Sequence, residues 1–172
     1  VRTEAMGMRR PHDMISVCES IAHQLETFQV HHIRNVQVAV VSEVKQGYYL
    51  NYQYFLPYRQ GVIEDVEINK HPSVRAMIHK MAASPEAYFP AAFKGKELDE
   101  WRKYRNEDNQ FPDPILEASD AVYFHFYSIG QGGIGISSYQ ELNEDELKLF
   151  HRFRNVFTLA YQRFRDIEQA EM

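Results

Sequence analysis

The sequence contains few of the features that mark several common protein classes, and cysteine is the first of them. Cys18 is the only cysteine among 172 residues. A single cysteine excludes an intrachain disulfide and a cysteine-rich zinc site, and it is typical of a reducing compartment. We therefore expect a cytoplasmic location. Long apolar runs are also missing: Val38 to Val41 is among the longest, far short of the roughly 20 residues that cross a bilayer. No membrane partner is expected.

An excess of basic charge is absent as well. The chain carries 19 lysine and arginine residues against 24 aspartate and glutamate residues, a formal net charge of -5. Such a chain presents no positive field to a phosphate backbone, so no nucleic-acid partner is expected. Hydrophobic residues make up 44% of the sequence and aromatic residues 13%, which is enough for one domain with its own core.

The N-terminal half contains patterns typical of one helix followed by three strands. Apolar residues from Met14 to Phe28 recur at spacings of three and four, which predicts an amphipathic helix. The valine-rich stretch from Asn35 to Val44, a turn at Lys45-Gln46-Gly47 and the stretch from Tyr48 to Phe55 predict a hairpin. A third strand is predicted from Val62 to Ile68, near a sheet edge because its acidic residues cannot all face a dry core.

The C-terminal half predicts further helices and a second hairpin. In order, the predicted elements are a crossing helix that begins at His71-Pro72-Ser73, a strand at Glu86 to Phe93, a surface helix at Lys96 to Tyr104, a short helix at Ile115 to Ala118, and a hairpin of Ala121 to Ile129 with Ile134 to Tyr139. The glycine-rich stretch 130–133 is the turn of that hairpin.

A long final helix is predicted to begin after Asn143. Asn143 is the predicted N-cap, and Glu146, three residues on, completes a capping box. Apolar residues then recur with an average period of about 3.5 residues, typical of a seam that packs against another helix. The seam consists of Phe150, Phe153, Phe157, Ala160, Phe164 and Ile167. It predicts a homodimer through the terminal helices and a helix that transmits a signal.

Both ends of the chain resemble segments of one group of sensory domains. The opening Val1-Arg2-Thr3-Glu4-Ala5-Met6-Gly7-Met8 is similar to the VRxxxMAM helix that precedes GAF domains in large multidomain signalling proteins of the Bacteroidetes, with Gly7 in place of alanine. Residues 149–157 and 161–171 are similar to the LKRFAxVFxxxYxRFxDLQKAE helix that follows those domains. His71-Pro72 also resembles the HP that opens their first crossing helix.

The resemblance implies an α+β fold of the GAF/PAS type, with a central antiparallel sheet, crossing helices, and N- and C-terminal helices packed together. It divides the chain into the end of an upstream connecting helix at 1–10, a sensory domain at 11–142 and a C-terminal signalling helix at 143–172. It also implies a non-catalytic, regulatory role in which a small ligand or partner is detected and the state is relayed to an output module. Such modules include histidine kinases, nucleotide cyclases and helix-turn-helix domains.

Ligand identity is limited by two absent motifs. The cysteine motif that attaches a bilin and the NKFDE signature of cyclic-nucleotide-binding relatives are both missing, so neither ligand and no cofactor is expected. Sensory folds of this type bind small molecules between the sheet and the crossing helices. The predicted contacts are Tyr88, Phe89, Trp101, Tyr104, His125 and Tyr127. The alternative for these residues is core packing, and the alternative function is a constitutive dimerisation or spacer module without a ligand.

Other groups of residues could carry chemistry but lack the pattern for it. His31-His32 could start a metal site, yet adjacent residues of an extended chain point to opposite sides, and no metal is expected. The glycine-rich stretch 130–133 lacks the following Lys-Ser/Thr of a phosphate loop. Ser137, Ser138 and Cys18 have no neighbouring base or nucleophile elbow. No catalytic residue is therefore predicted, and a small-molecule enzyme is the third hypothesis.

Overall fold

The computed structural model describes residues 2–171 with the exception of the Glu171 side chain. Val1 and Met172, which begin the first predicted segment and end the last one, lie outside the described residues. The strands are β1 (Ile33–Val41), β2 (Tyr48–Phe55), β3 (Gln60–Glu67), β4 (Tyr88–Lys94), β5 (Ala121–Ser128) and β6 (Gly132–Ser138). They form one antiparallel sheet in the order β3-β2-β1-β6-β5-β4. The predicted α+β class with an antiparallel sheet is confirmed, as is the edge position of the third strand.

Helices cover both faces of the sheet. They are α1 (Arg2–Met6), α2 (Met14–Thr27), α3 (Pro72–Ala83), α4 (Gly95–Glu107), α5 (Pro114–Glu117), α6 (Glu144–Arg152) and α7 (Arg154–Glu171), with short 3-10 helices at Pro11–Asp13 and Ile68–Lys70. The first face carries α1, α2 and α7, and α1 packs directly against α7. The second face carries α3, α4 and α5. The terminal helices therefore pack together as expected.

Alternation along the strands builds two separate cores. Successive side chains of a strand point to opposite faces of the sheet. In β1, Val36 and Val38 belong to the core under α2 and α7. In β5, Phe124 and Phe126 belong to the second core, under α3 and α4, whereas their neighbour Tyr127 belongs to the first. Gln37 and Ala39, which alternate with the β1 valines, consequently face α3 and α4 and line the site described below.

Two helix starts follow from local chemistry that the sequence shows. At α3, a ring nitrogen of His71 accepts a hydrogen bond from the Ser73 N–H at 3.1 Å, and Pro72 occupies the first turn, where its missing N–H is not needed. At α6, Asn143 Oδ1 accepts from the Glu146 N–H at 2.8 Å, and Glu146 accepts from the Asn143 N–H at 3.0 Å. Both predicted starts, including the capping box, are confirmed.

The single C-terminal helix predicted over 143–172 is instead two helices. The N–H of Phe153 bonds to the carbonyl of Phe150, three residues back, and α6 ends there. From Phe157 the four-residue spacing resumes, with its N–H bonded to the carbonyl of Phe153. The first strand, predicted from Asn35 to Val44, instead begins at Ile33 and ends at Val41, and Val44 is 93% exposed in the following loop.

The apolar seam of α6 and α7 packs within the chain. Its members Phe150, Phe157, Ala160, Phe164 and Ile167 are buried in the core shared with α1, α2 and the sheet, and Phe153 is half-buried. The rings of Phe164 and Tyr52 meet edge to face at 5.5 Å. The five buried side chains do not support a dimer interface, because their own chain already covers them. A homodimer stays a prediction without this support.

Candidate ligand cavity

A cavity of about 110 Å³ lies between the sheet and helices α3 and α4. Residues of every strand except β3 form its floor, and α3 and α4 form its roof. Small residues, Ala39, Ala91 and Gly133, occupy the floor on three different strands. At Gly133 a Cβ atom would lie 2.7 Å from Met81 Cε of α3, so the glycine lets the helix approach the sheet. The cavity exists because these small residues leave the space between the sheet and the helices unfilled.

One wall of the cavity is aromatic and apolar. The rings of Phe93 and Trp101 stack with centroids 5.1 Å apart, and Phe124 meets Trp101 edge to face at 5.9 Å. Met77 and Met81 of α3 complete this wall. Methionine adapts its shape to what it contacts, so the wall can adjust to an apolar occupant. The indole Nε1 of Trp101 is buried and has no hydrogen-bond partner among residues 2–171.

Three amide side chains of β1 and β2, Gln37, Asn51 and Gln53, form the opposite wall, and the buried Asn35 joins them in one hydrogen-bonded row. Asn51 Nδ2 donates to Gln37 Oε1 at 2.8 Å, and Gln37 Nε2 donates to Asn35 Oδ1 at 3.5 Å. Asn35 Nδ2 donates in turn to Gln53 Oε1 at 3.0 Å, and Gln53 donates to Glu64. Because every amide donates in the same direction, Asn51 Oδ1 at the start of the row receives no hydrogen bond from any described residue.

A buried ion pair ends this wall. Arg34 Nε donates to Asp113 Oδ2 at 2.7 Å, and Arg34 Nη1 donates to Ser137 Oγ at 3.2 Å. Asp113 also accepts from the hydroxyls of Tyr58 at 2.6 Å and Tyr139 at 2.8 Å. Burial alone would raise the pKa of Asp113, but the Arg34 charge and these hydrogen bonds outweigh it and hold that pKa below its usual range. The positive charge of Arg34 is therefore neutralised by the Asp113 carboxylate.

Arg105 of α4 is a second buried cation, and it has no such partner. Arg105 lines the cavity, and the residue as a whole is 4% exposed. Its Nη2 donates a hydrogen bond to the Phe111 carbonyl at 2.8 Å. Among residues 2–171 no carboxylate forms an ion pair with it. Burial, with the like charge of Arg34, lowers the pKa of Arg105 to about 10, so it stays protonated at neutral pH.

The structure divides the six predicted ligand contacts between the two faces of the sheet. Trp101 lines the cavity, and Phe89 and Tyr104 lie in the same layer without lining it. Tyr88, His125 and Tyr127 lie on the other face, against α6. Their assignment to one pocket with Trp101 is wrong. Tyr88 and Phe89 are consecutive in β4 and must point to opposite sides.

The sequence analysis does not predict the polar lining. The lining residues Gln37, Asn51 and Gln53 and their hydrogen-bond partner Asn35 alternate with valine and tyrosine, and that alternation is the available signal. The same pattern is typical of strands whose polar face meets solvent, so it does not by itself indicate a covered site. Arg105 lies in a strongly charged helix and carries no local sign of burial.

No family model, curated protein or solved structure matches the chain. In the part of the chain that the structure describes, none of the helices combines the length and apolar character of a membrane span. Residues 2–171 contain no group of three or more His, Cys, Asp and Glu side chains placed to hold a metal ion. The thiol of Cys18 is fully buried, and burial raises its pKa, so it is not a reactive thiolate.

Proposed function

We propose that the chain is a non-catalytic regulatory domain of the GAF type that binds a small ligand in the cavity under α3 and α4. The cavity carries this proposal, because its walls contain polar groups without partners. A buried donor or acceptor left unsatisfied costs about 1–3 kcal/mol, and a buried unpaired charge costs more. Trp101 Nε1 and Asn51 Oδ1 are unsatisfied in this way, and the Arg105 guanidinium is a buried charge that forms no ion pair among the described residues. A ligand that satisfies them recovers that free energy.

The GAF type is supported by the motifs at both ends and by a central antiparallel sheet with helices on each face. On that basis the domain belongs to a multidomain signalling protein, and its output module lies outside this chain. The single cysteine supports a cytoplasmic location. The alternative function, a spacer without a ligand, would leave the unsatisfied groups in the cavity walls without a use.

A contact between the cavity roof and the last helix supports a relay. Helix α3 covers the cavity, and the segment that follows it includes Glu86. Arg154 is the first residue of α7, and its Nη2 donates to the Glu86 carbonyl at 2.9 Å. The Arg154 guanidinium also lies over the Tyr127 ring at 4.7 Å. A ligand that binds one position of α3 better than another would shift the population of α7 positions through this contact.

A matched pair of variants tests the ligand-binding function. Ala91 and Ala92 are neighbours in β4, but Ala91 lines the cavity and Ala92 is exposed on the other face. Ala91→Leu fills part of the cavity, whereas Ala92→Leu adds the same volume outside it. In a ligand-observed NMR screen of small fragments, we expect compounds that bind the wild type and Ala92→Leu but not Ala91→Leu. If no compound depends on Ala91, the spacer hypothesis is favoured.

A further inference from the structure

The charged side chains in the cavity walls are all positive. Both charged side chains that line the cavity are arginines, and Arg34 is neutralised by Asp113. A guanidinium has five N–H donors, and the Phe111 carbonyl occupies one of those of Arg105. The carboxylates whose charges reach Arg105 are bonded elsewhere: Glu64 accepts from Gln53 and from the Phe111 N–H, and Asp113 accepts from Arg34. The cavity therefore has an unmet requirement for an anion.

A carboxylate meets that requirement better than other groups. Its two oxygens match two parallel N–H groups of a guanidinium, which makes the contact strong and directional. The wall of Phe93, Trp101 and Phe124 then requires an apolar body on the same ligand. The volume is about 110 Å³, which is less than the roughly 150 Å³ of a cavity that holds one benzene ring. The cavity therefore fits a small organic acid with about as many non-hydrogen atoms as benzene, and it is too small for a nucleotide.

Asn51 adds a second requirement. Its Oδ1 accepts no hydrogen bond from residues 2–171, so a ligand donor at that end of the amide row would complete the network. An ammonium group is a poor choice, because no carboxylate lines the cavity and both lining charges are positive. A neutral donor such as a hydroxyl avoids that repulsion.

We propose that the cavity binds a small monocarboxylate with an apolar body and a neutral hydrogen-bond donor, a hydroxy acid in its simplest form. The carboxylate is held by Arg105, and the donor bonds to Asn51. This inference rests on the ligand-binding function proposed above and specifies the chemical class of the ligand. It assigns Arg105 as the residue that selects for charge and the amide row as the element that selects for the donor.

A ligand series on the wild-type chain tests this class without any change to the protein. Each compound is titrated by isothermal calorimetry at pH 7.5, beginning with 2-hydroxypropanoate, which has as many non-hydrogen atoms as benzene. We expect binding at least 10-fold weaker for its carboxamide, which lacks the charge, and about 5- to 10-fold weaker for propanoate, which lacks the hydroxyl. L-Alanine, with an ammonium group in place of the hydroxyl, is also expected to bind more weakly.

The series is repeated with 2-hydroxybutanoate and 2-hydroxy-3-methylbutanoate, so that a misfit of one side chain does not decide the result. Inorganic phosphate measures any general attraction of anions and is expected to bind at least 10-fold more weakly than the best hydroxy acid. If none of the three hydroxy acids binds, or if the carboxamide binds as tightly as the acid, the proposal is overturned. Equal binding of phosphate would also overturn it, in favour of an unspecific anion site.

Variants of α4 assign the effect to Arg105. Arg105→Met is expected to weaken binding of the hydroxy acid about 10- to 100-fold, and Arg105→Lys, which keeps the charge but not the two parallel donors, to give an intermediate loss. Lys103→Met removes an exposed charge from the same helix and is expected to leave binding unchanged. Circular dichroism checks that each variant is folded. Should Arg105→Met not fold, Arg105→Lys and the ligand series decide the question.

The outcomes separate this inference from the function on which it rests. If the fragment screen yields neutral or cationic compounds whose binding depends on Ala91, the cavity is a ligand site and the assignment of a carboxylate is wrong. If no compound of any charge depends on Ala91, both proposals fail. If the Ala91-dependent compounds are carboxylates that Arg105→Met no longer binds, both are supported.

Discussion

Arg34 and Asp113 form an ion pair from which solvent is excluded. Arg34 Nε lies 2.7 Å from Asp113 Oδ2, and the two side chains are 3% and 0% exposed. Asp113 is also the N-cap of α5, where Oδ1 accepts from the Leu116 N–H at 3.1 Å. One carboxylate therefore ties the segment between α4 and β5 to β1 and closes one end of the polar cavity wall.

Removal of Asp113 is expected to be strongly destabilising. In Asp113→Ala the Arg34 guanidinium stays buried without its counter-ion, and the free energy of unfolding should fall by about 3–5 kcal/mol. The control is Asp65→Ala, which breaks an exposed pair with Lys45 at 3.1 Å and should change the free energy by less than about 1 kcal/mol. Urea unfolding measures both. Equal effects would mean that the Arg34 pair is solvated in solution.

The buried seam of α7 predicts a stability effect without a change of oligomeric state. Phe157 is 0% exposed in the core of its own chain, so Phe157→Ala should lower the free energy of unfolding by about 3–5 kcal/mol. The half-buried Leu159 is the control, and Leu159→Ala should have a smaller effect. A loss that depends on protein concentration, together with a change of mass in sedimentation, would instead indicate an interface between copies.

Local chemistry made much of the fold predictable. The His71-Pro72 start of α3 and the capping box at Asn143 each depend on residues a few positions apart. The turn predicted at 130–133 is shorter in the structure, because Gly132 and Gly133 already belong to β6. The seam of α7 was also identified correctly as apolar, but its partner was not. A period of about 3.5 residues shows that a helix face is covered; it does not distinguish a second chain from α1 and α2 of the same chain.

The cavity could not be predicted from the sequence for a related reason. Gln37 and Asn51 become a buried wall only because α3 and α4 lie over the polar face of β1 and β2. That placement depends on contacts between distant parts of the chain, which no local pattern encodes. Trp101 is one of the residues predicted to contact a ligand, whereas Arg105, one turn later in the same charged helix, has the sequence context of a solvated cation.

The capping box of α6 predicts a modest effect. Asn143→Ala removes the acceptor of the Glu146 N–H and leaves that donor without its partner, which should lower the free energy of unfolding by about 1 kcal/mol. Asn155→Ala is the matched control, because Asn155 is exposed within α7 and alanine is the better helix former there. Urea unfolding should show no loss for the control. A loss in both variants would place the effect in helix propensity or packing instead of capping.

A pair of histidines between the sheet and α6 predicts that stability depends on pH. Tyr88 Oη lies 2.6 Å from His125 Nδ1, and the Tyr127 hydroxyl contacts His151 Nδ1. Burial lowers the pKa of both histidines, and a positive neighbour lowers it further: protonated His151 beside His125, and Arg154 beside His151. In the unfolded chain a histidine has a pKa of about 6.5, so that state takes up protons first as the pH falls.

Because the folded state binds these protons later, the stabilisation is fully present above pH of about 6.5 and is lost as the pH falls below that value. Urea unfolding at pH 7.5 and 5.5 should therefore give a lower free energy at pH 5.5. The double variant His125→Gln/His151→Gln should reduce this difference. His79→Gln, on the exposed side of α3, should retain it, and His71, whose pKa burial also lowers, supplies the part that remains in the double variant. An unchanged difference in the double variant would show that the tyrosine contacts leave both rings open to solvent.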